Sequence, residues 1–397
     1  MDRRTLLKTS GLGLLGFGLA ACAPRLGSVS ASRPMRRLAP VRAAWDRVIR
    51  TTVGLRPYRP SGFLLRADKL DAKMLIHNYG HGGSGMSLTW GTGQMAAELA
   101  LAQPERRVAV LGCGVAGLTT ARQLQRRGFD VTIYAASVPP DTTSNMSLAG
   151  WTPTSGLVET ELRTSAWDAQ FRRAATLAYR QLQLLVGRGY GVSWLERYSL
   201  DDDGPGGGRD GDDAESDRTE AGAPATAPRE PLLPEELRTG STLLGPGEHP
   251  FPTRYASVGP SLRIEPSIYL DALVRDVREA GARIVIRTFD TPRDVAVLDE
   301  SVVVNCTGLG AGTLFGDREI MPVQGQLTLL VPQPEVDYAT SGGAGPSADG
   351  FVHMQPRRDG IALGGTTEEG VWSLEPNPEA RQRIVDAHAE LFAGMRA

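Results

Sequence analysis

The 397-residue chain reads as an α/β protein in two interleaved parts: one on a parallel sheet, the other α+β on a mixed or antiparallel sheet. Three observations predict this. First, "RRVAVLGCGVAGLTTARQLQRRGFDVTIY" (106–134) runs strand, helix, strand, which is a βαβ unit. Second, "ESVVVNCTGLGAG" (300–312) adds a Val-rich buried strand that also ends in a glycine-rich turn. Third, "GQLTLLV" (325–331) and "GIALGG" (360–365) read as strands of a second sheet. The first part is therefore Rossmann-like.

Composition permits such a fold and narrows its partners. With 41% hydrophobic and 22% charged residues the chain can bury a substantial core, and its length suits two or three domains. A formal net charge of −2 argues against a nucleic-acid partner and against a polybasic membrane surface. No internal repeat is present.

In chain order, residues 1–22 read as a signal. Gly11–Ala21 is an apolar run far short of the roughly 20 residues that span a bilayer. Arg3 and Arg4 resemble a twin-arginine export signal, and "LAAC" ending at Cys22 resembles a bacterial lipobox. The expectation is a periplasmic lipoprotein, anchored to the membrane through Cys22; an ordinary signal peptide is the alternative. Residues 23–40, rich in Ser, Pro and Arg, read as a tether. In "VGLRPYRPSGFLLRADKL" (53–70) two Arg-Pro pairs impose extended backbone, and "KMLIHNY" (73–79) reads as a buried strand. From Ser87 to about Ala102 the apolar spacing is helical.

The βαβ unit follows, with its helix over Val115–Arg127, and residues 161–200 read as mostly helical. Residues 201–250, acidic and rich in Gly and Pro, read as a disordered insertion, because they carry too little apolar surface to offset the entropy of ordering. "SLRIEPSIYLDALVRDVREAGARIVI" (261–286) gives a helix ending near Gly281, then a strand. The last helix starts with Asn377 as N-cap and Pro378 at its first position, and its apolar face is Ile384, Val385, His388, Leu391, Phe392 and Met395.

Gly112, Gly114 and Gly117 form G-x-G-x-x-G between strand and helix. The first allows a tight turn, the second lets a pyrophosphate approach, and the third lets helix and strand pack. The second strand ends "YAAS" (134–137), without the acid that usually grips the ribose and without an arginine for a 2′-phosphate. Soluble NAD(P) fits that ending poorly; a dinucleotide gripped from several directions, such as FAD, fits better. Cys113 and Cys306 read as core, and with only three cysteines no disulfide framework or metal cluster emerges. His77 and His81 are four apart, but glycines interrupt any helix there, so metal binding is set aside.

"GLRPYRP", "HNYGHGGSG" (77–85), "RVAVLGCGVAGL" and "VVVNCTGLGAG" together resemble the D-amino acid oxidase family of FAD-dependent enzymes, over most of residues 44–395 outside the insertion. The resemblance implies an FAD-binding domain over 61–160 and 295–316. The substrate domain would then take 41–60, 161–200, 251–294 and 317–397. In that family the first two segments lie C-terminal to the Rossmann unit; here they precede it, which resembles a circular permutation. The last helix would then lie beside the segment beginning near Val41. A homodimer in which residues 41–103 complete a neighbouring subunit is the alternative.

The resemblance also implies roles. Gly112, Gly114, Val115, Ala116 and Gly117 would cradle the FAD pyrophosphate. Thr143, Ser144 and Asn145, with Ala149 and Gly150, match the next flavin contact, and Thr307 and Gly308 the turn over the adenosine half. Gly82, Gly83, Gly85, Met86 and Ser87 would lie against the flavin ring, where a helix N-terminus offers N–H groups to the charge of reduction. Arg56 matches the arginine that holds an amino acid carboxylate, whereas Arg59 reads as a surface residue. The family places tyrosines near "GFVHMQPRRDGIALGG" (350–365); here His353 stands nearest one of those positions, either on the substrate or as a satisfied histidine at a strand end. The catalytic set so implied is Arg56, Gly83 and His353.

The activity implied is oxidation of a D-amino acid or related amine by hydride transfer to the flavin, giving an imino acid and, with oxygen, hydrogen peroxide. A quinone-linked dehydrogenase and a non-catalytic FAD-containing lipoprotein are the alternatives.

Overall fold

The computed structural model describes residues 35–202, 231–342 and 352–396; residues 1–22, read above as a signal ending at Cys22, lie outside them. In chain order the elements begin with β1 (Val48–Tyr58), β2 (Leu64–Leu70), β3 (Lys73–Tyr79) and α1 (Gly85–Ala100). The βαβ unit is β4 (Arg107–Leu111), α2 (Val115–Gln125) and β5 (Asp130–Ala135). There follow α3 (Ser165–Leu185), β6 (Val192–Asp201), β7 (Thr242–Leu244), β8 (Tyr255–Ile264), α4 (Pro266–Glu279) and β9 (Arg283–Ile286). After α5 (Pro292–Ala296) come β10 (Val302–Asn305), α6 (Gly310–Phe315), β11 (Met321–Leu330) and β12 (Tyr338–Gly342). The chain closes with β13 (Val352–Arg357), β14 (Gly360–Gly364), β15 (Glu368–Glu369) and α7 (Pro378–Ala393).

Among the described residues one sheet has six strands in the order β2-β3-β10-β4-β5-β9, parallel except for the β2–β3 hairpin. Strand period decides which side chains go where. Val108, Val110, Val302 and Val304 face a core shared with Leu88, Leu118, Phe171 and Leu273 from α1 to α4. Ala109, Leu111 and Val303 face the other way, onto Val295, Leu298 and Leu314. Both faces are covered, as a parallel sheet requires.

The second sheet runs β1-β11-β14-β13-β12-β6-β8-β7, with β15 also on β11. Its pairs are antiparallel apart from β12–β6. Tyr198, Tyr338, Met354 and Leu363 pack there against Ile384, Leu391 and Phe392 of α7, which Asn377 caps by accepting from Ala380 N–H at 3.0 Å. Val41 belongs to the same core.

Several readings of the sequence are corrected by this arrangement. Val192–Asp201 is a strand, not helix: it pairs β8 over its whole length, and the alternation that buries Tyr198 and Leu200 is period two. Residues 231–250 are folded, because Leu233 and Leu237 supply buried apolar surface; the rest of the insertion, 203–230, lies outside the described residues. Residues 35–40 are packed rather than a free tether. The Pro40 carbonyl accepts from Gln333 at 2.9 Å and the Ala39 carbonyl from Tyr338 at 2.8 Å. Finally, α3 packs on α1, while α4 and β9 complete the parallel-sheet layer, so 165–185 and 266–286 belong with the first part rather than the second.

α1 crosses α3 at close range. A Cβ at Gly91 would fall 1.9 Å from the Ala174 carbonyl oxygen, so only glycine allows this approach. Gly91→Ala is expected to destabilise the protein by about 3 kcal/mol, the upper end for overpacking, read as a lower chemical-denaturation midpoint.

Candidate active site

The site forms where the parallel strands end. β10 leaves on one side of β4 and β5 on the other, so the crevice between their carboxyl ends is the topological switch point where ligands bind in open α/β sheets. Two of the three glycines after β4 are dictated by backbone contact. Gly112 has φ +107°, and a Cβ there would lie 2.5 Å from the Cys306 carbonyl oxygen. A Cβ on Gly117 would lie 1.9 Å from the Gly112 carbonyl oxygen, which locks α2 to β4. Gly114 opens into the crevice, and the Val115 N–H at the start of α2 donates to Ser144 Oγ at 3.0 Å.

The loop after β3 faces this turn across the crevice. Gly82 has φ +51° and a Cβ there would collide with the Gly156 carbonyl oxygen at 1.8 Å. Ser84 Oγ donates to the Ser155 carbonyl at 2.9 Å, fixing the loop to residues 155–156. Ser87 Oγ donates to the Gly150 carbonyl at 2.9 Å and accepts from Thr152 N–H at 2.8 Å, so α1 holds the 148–152 turn. His81 is stacked on Phe63 with Nε2 3.0 Å from Thr92 Oγ1, and burial lowers it to about 3, so it is neutral.

Arg56 reaches the crevice from β1. Its guanidinium lies over Gly325 on β11, where any Cβ would come within 2.7 Å of Nη2, and Nη1 donates to the Thr366 carbonyl at 3.4 Å. His353, on β13, lies across Gly364 in the same way, a Cβ there being 2.2 Å from Nε2. Burial, with the charges of His388, Arg197 and Arg56 added, lowers His353 to about 3 and keeps it neutral.

A cavity of about 1510 Å³ joins these groups. Arg56, Gly83 and His353 line it together, with Gly82, Gly85, Met86, Gly112, Gly114, Val115, Ala116, Thr143, Ser144, Ala149, Gly150, Thr307 and Gly308. Gly117, Ser87 and Asn145 do not line it. Gly117 packs helix on strand, Ser87 braces the 150 turn, and Asn145 Oδ1 accepts from Thr142 Oγ1 at 2.8 Å.

Arg59, read from sequence as a surface residue, is 8% exposed. Its Nε donates to Asp317 at 2.8 Å, Nη1 to the Gly62 carbonyl at 2.8 Å, and Nη2 pairs with Glu319 at 2.9 Å. Two further cavity residues escaped the sequence reading. Arg197 enters from β6. Arg287 follows β9, donates its backbone N–H to the Ala135 carbonyl at 2.9 Å and stacks over Phe289 at 4.7 Å. It brings positive charge to the strand end that lacks the usual acid. Arg287 could have been found from sequence only by knowing that β9 pairs β5.

The sequence pattern of the family described as "FAD dependent oxidoreductase" matches residues 29–99 and 107–397. The chain belongs to that family. It is 32% identical over 288 residues to a D-amino-acid oxidase of Rubrobacter xylanophilus, covering 70% of this chain and 75% of that protein. It is also 32% identical to one of Streptomyces coelicolor, covering 73% and 79%. A solved glycine oxidase of Bacillus cereus superimposes with a TM-score of 0.49 at 16% identity, over 74% of this chain and 81% of that one.

The protein is thus an FAD-dependent oxidoreductase, and the cavity suits the cofactor. Its volume exceeds that of a usual small-ligand pocket. Gly112 and Gly114 leave the α2 N-terminus open to the cavity, where it could take a pyrophosphate, and Arg287, Thr307 and Gly308 line the same cavity. Among the described residues no helix is long and apolar enough to cross a membrane.

Gly112→Ala would drive a methyl group into the Cys306 carbonyl at a φ that L residues rarely adopt. Fluorescence titration should show FAD affinity reduced at least about tenfold, with far-UV circular dichroism unchanged.

Proposed function

We propose that this FAD-dependent oxidoreductase oxidises D-amino acids or closely related amines, giving the imino acid and, with oxygen as acceptor, hydrogen peroxide. The observation that carries the reading is that the Arg56 guanidinium and the Gly82–Met86 loop line one cavity, although the sequence separates them by more than a strand hairpin. The relatives named D-amino-acid oxidase support the substrate class and the acceptor.

The chemistry supplied by the flavin when bound is acceptance of a hydride from the substrate Cα. The protein's own contribution is position and field. Arg56 takes the carboxylate as a charge-assisted pair, and its place over Gly325 limits how the guanidinium can turn. The N-terminus of α1, opening at Gly85, directs backbone dipoles into the cavity beside Met86. His353 stays neutral and can accept a hydrogen bond from the amine without competing for the carboxylate.

We also propose that the order of the motifs reflects a circular permutation. In support, Val41 shares a core with Ile384, Leu391 and Phe392, and Trp45 Nε1 donates to Asp386 at 3.3 Å. The family match also falls in two blocks, 29–99 and 107–397. Export by the twin-arginine route with a lipid anchor at Cys22 remains a proposal resting on Arg3, Arg4 and Leu19–Cys22.

Protein purified without its first 22 residues is expected to carry flavin absorption that D-amino acids bleach without air, and to form peroxide in air. A flavin that bleaches yet yields no peroxide would move the acceptor to a quinone. Arg56→Ala should lower kcat/KM for carboxylate substrates by about 10²–10³, mostly through KM, with FAD retained. An unchanged KM removes Arg56 from the site.

A further inference from the structure

We propose that His77 is a positioning residue for the cofactor wall: acting through Asn305, its neutral imidazole holds the Thr307–Gly308 turn in the shape that FAD meets. The role belongs to FAD binding and is independent of which substrate the enzyme takes.

Register brings His77, Asn305 and Thr307 together. β3 and β10 run parallel with His77 beside Asn305, and β10 ends there, two residues before Thr307. Thr307 and Gly308 line the cavity. His77 is 5% exposed and Asn305 0%, so water offers neither side chain a substitute partner. Phe315 and Tyr79 meet the imidazole in T-shaped contacts at 5.5 and 5.7 Å, which fix the plane of the ring.

The placement of protons then has one solution. Asn305 Oδ1 accepts from the Thr307 backbone N–H at 3.1 Å and from Thr307 Oγ1 at 2.7 Å. A backbone N–H can only donate, so the oxygen must be the amide atom that faces the turn. The amide nitrogen Nδ2 therefore faces His77 Nδ1, 3.1 Å away, and Nδ1 must accept. The ring proton is left on Nε2, which stands 3.3 Å from Asp68 Oδ2. Asp68, His77, Asn305 and Thr307 thus form one chain from β2 to the cavity wall, with each donor facing an acceptor.

A second proton on His77 breaks this chain. Nδ1–H would then face the Asn305 Nδ2–H. Turning the amide to relieve that conflict would set Nδ2 against the Thr307 N–H and release the turn. Charges of both signs surround the ring. Asp68 on β2 and Asp317 beyond α6 favour the proton, while Arg66, opposite His77 on β2, and Arg59 beyond β1 oppose it. Burial is the largest influence, and it lowers His77 below the usual 6.5. The neutral ring is lost as pH falls through that lowered value, and the hold on the turn is lost with it. His81 and His353, which also line the cavity, are lowered to about 3 and stay neutral over the same range.

The test is FAD affinity against pH, by fluorescence titration of the full chain freed of its cofactor. Affinity of the native sequence should weaken as pH falls below 6.5, by at least about threefold at about pH 5, with far-UV circular dichroism unchanged. His77→Asn offers an amide oxygen to Asn305 and cannot take up the proton. It should bind FAD within about threefold of the native sequence at about pH 7 and lose the pH dependence. His77→Leu should weaken FAD at least about tenfold at about pH 7, because Asn305 Nδ2 is left buried without an acceptor. Asp68→Asn should move the weakening to lower pH. A His77→Leu protein that binds as tightly as the native one would overturn the inference. So would a His77→Asn protein that keeps the pH dependence or binds as weakly as His77→Leu. Should His77→Leu not fold, the pH series with His77→Asn still decides the matter.

Discussion

One buried guanidinium ties the two sheets together at the point where the chemistry is set up. Arg59 stands just past the end of β1, three residues after Arg56, and grips Asp317 and Glu319 beyond α6. Tyr79, the last residue of β3, donates its hydroxyl to the same Asp317 at 2.8 Å. Burial works against the Asp317 carboxylate, but hydrogen bonds from Tyr79, the Glu319 N–H and Arg59 hold it below the usual range. Breaking one partner would strand a charge in a place that water reaches poorly, which makes such a clamp a strong constraint on geometry whatever its net stabilisation. β1 thereby enters the second sheet with Arg56 already facing the cavity.

Backbone contact does the rest. At four glycines an added Cβ would meet a close neighbour: backbone of Cys306 at Gly112 and of Gly156 at Gly82, and the side chains of Arg56 at Gly325 and His353 at Gly364. These positions differ in purpose. The first two shape the cavity wall, and the last two leave room for the Arg56 and His353 side chains.

How much of this could be read in advance follows from how local each signal is. The βαβ unit, its glycines and the Asn377 cap were legible, because a period of two or 3.6 and a capping residue are properties of neighbouring residues. The motif points Arg56 to the cavity that it lines, yet the same stretch reads Arg59 as a surface residue, since its carboxylate partners lie about 260 residues away. The sequence of β6 reads as helix because its face is decided by β8 and β12, and nothing local marks Arg197 for the same reason. The grouping of α4 and β9 with the parallel sheet likewise depends on a pairing with β5 that no local pattern announces.

The first strand of the described chain has its partner near the other end: Val48 is paired with Leu330, and Tyr58 with Met321. During synthesis β1 must leave the ribosome long before β11 exists, with its own edge bare for that interval. Loop closure of this span is slow to occur and gains nothing until both strands are present. The hairpin of β2 and β3 can form at once, but the sheet carrying Arg56 cannot close until most of the polypeptide has been made. Closure of the sheet around Arg56 is therefore a late event in the life of each molecule, and any truncation before β11 leaves β1 without its partner.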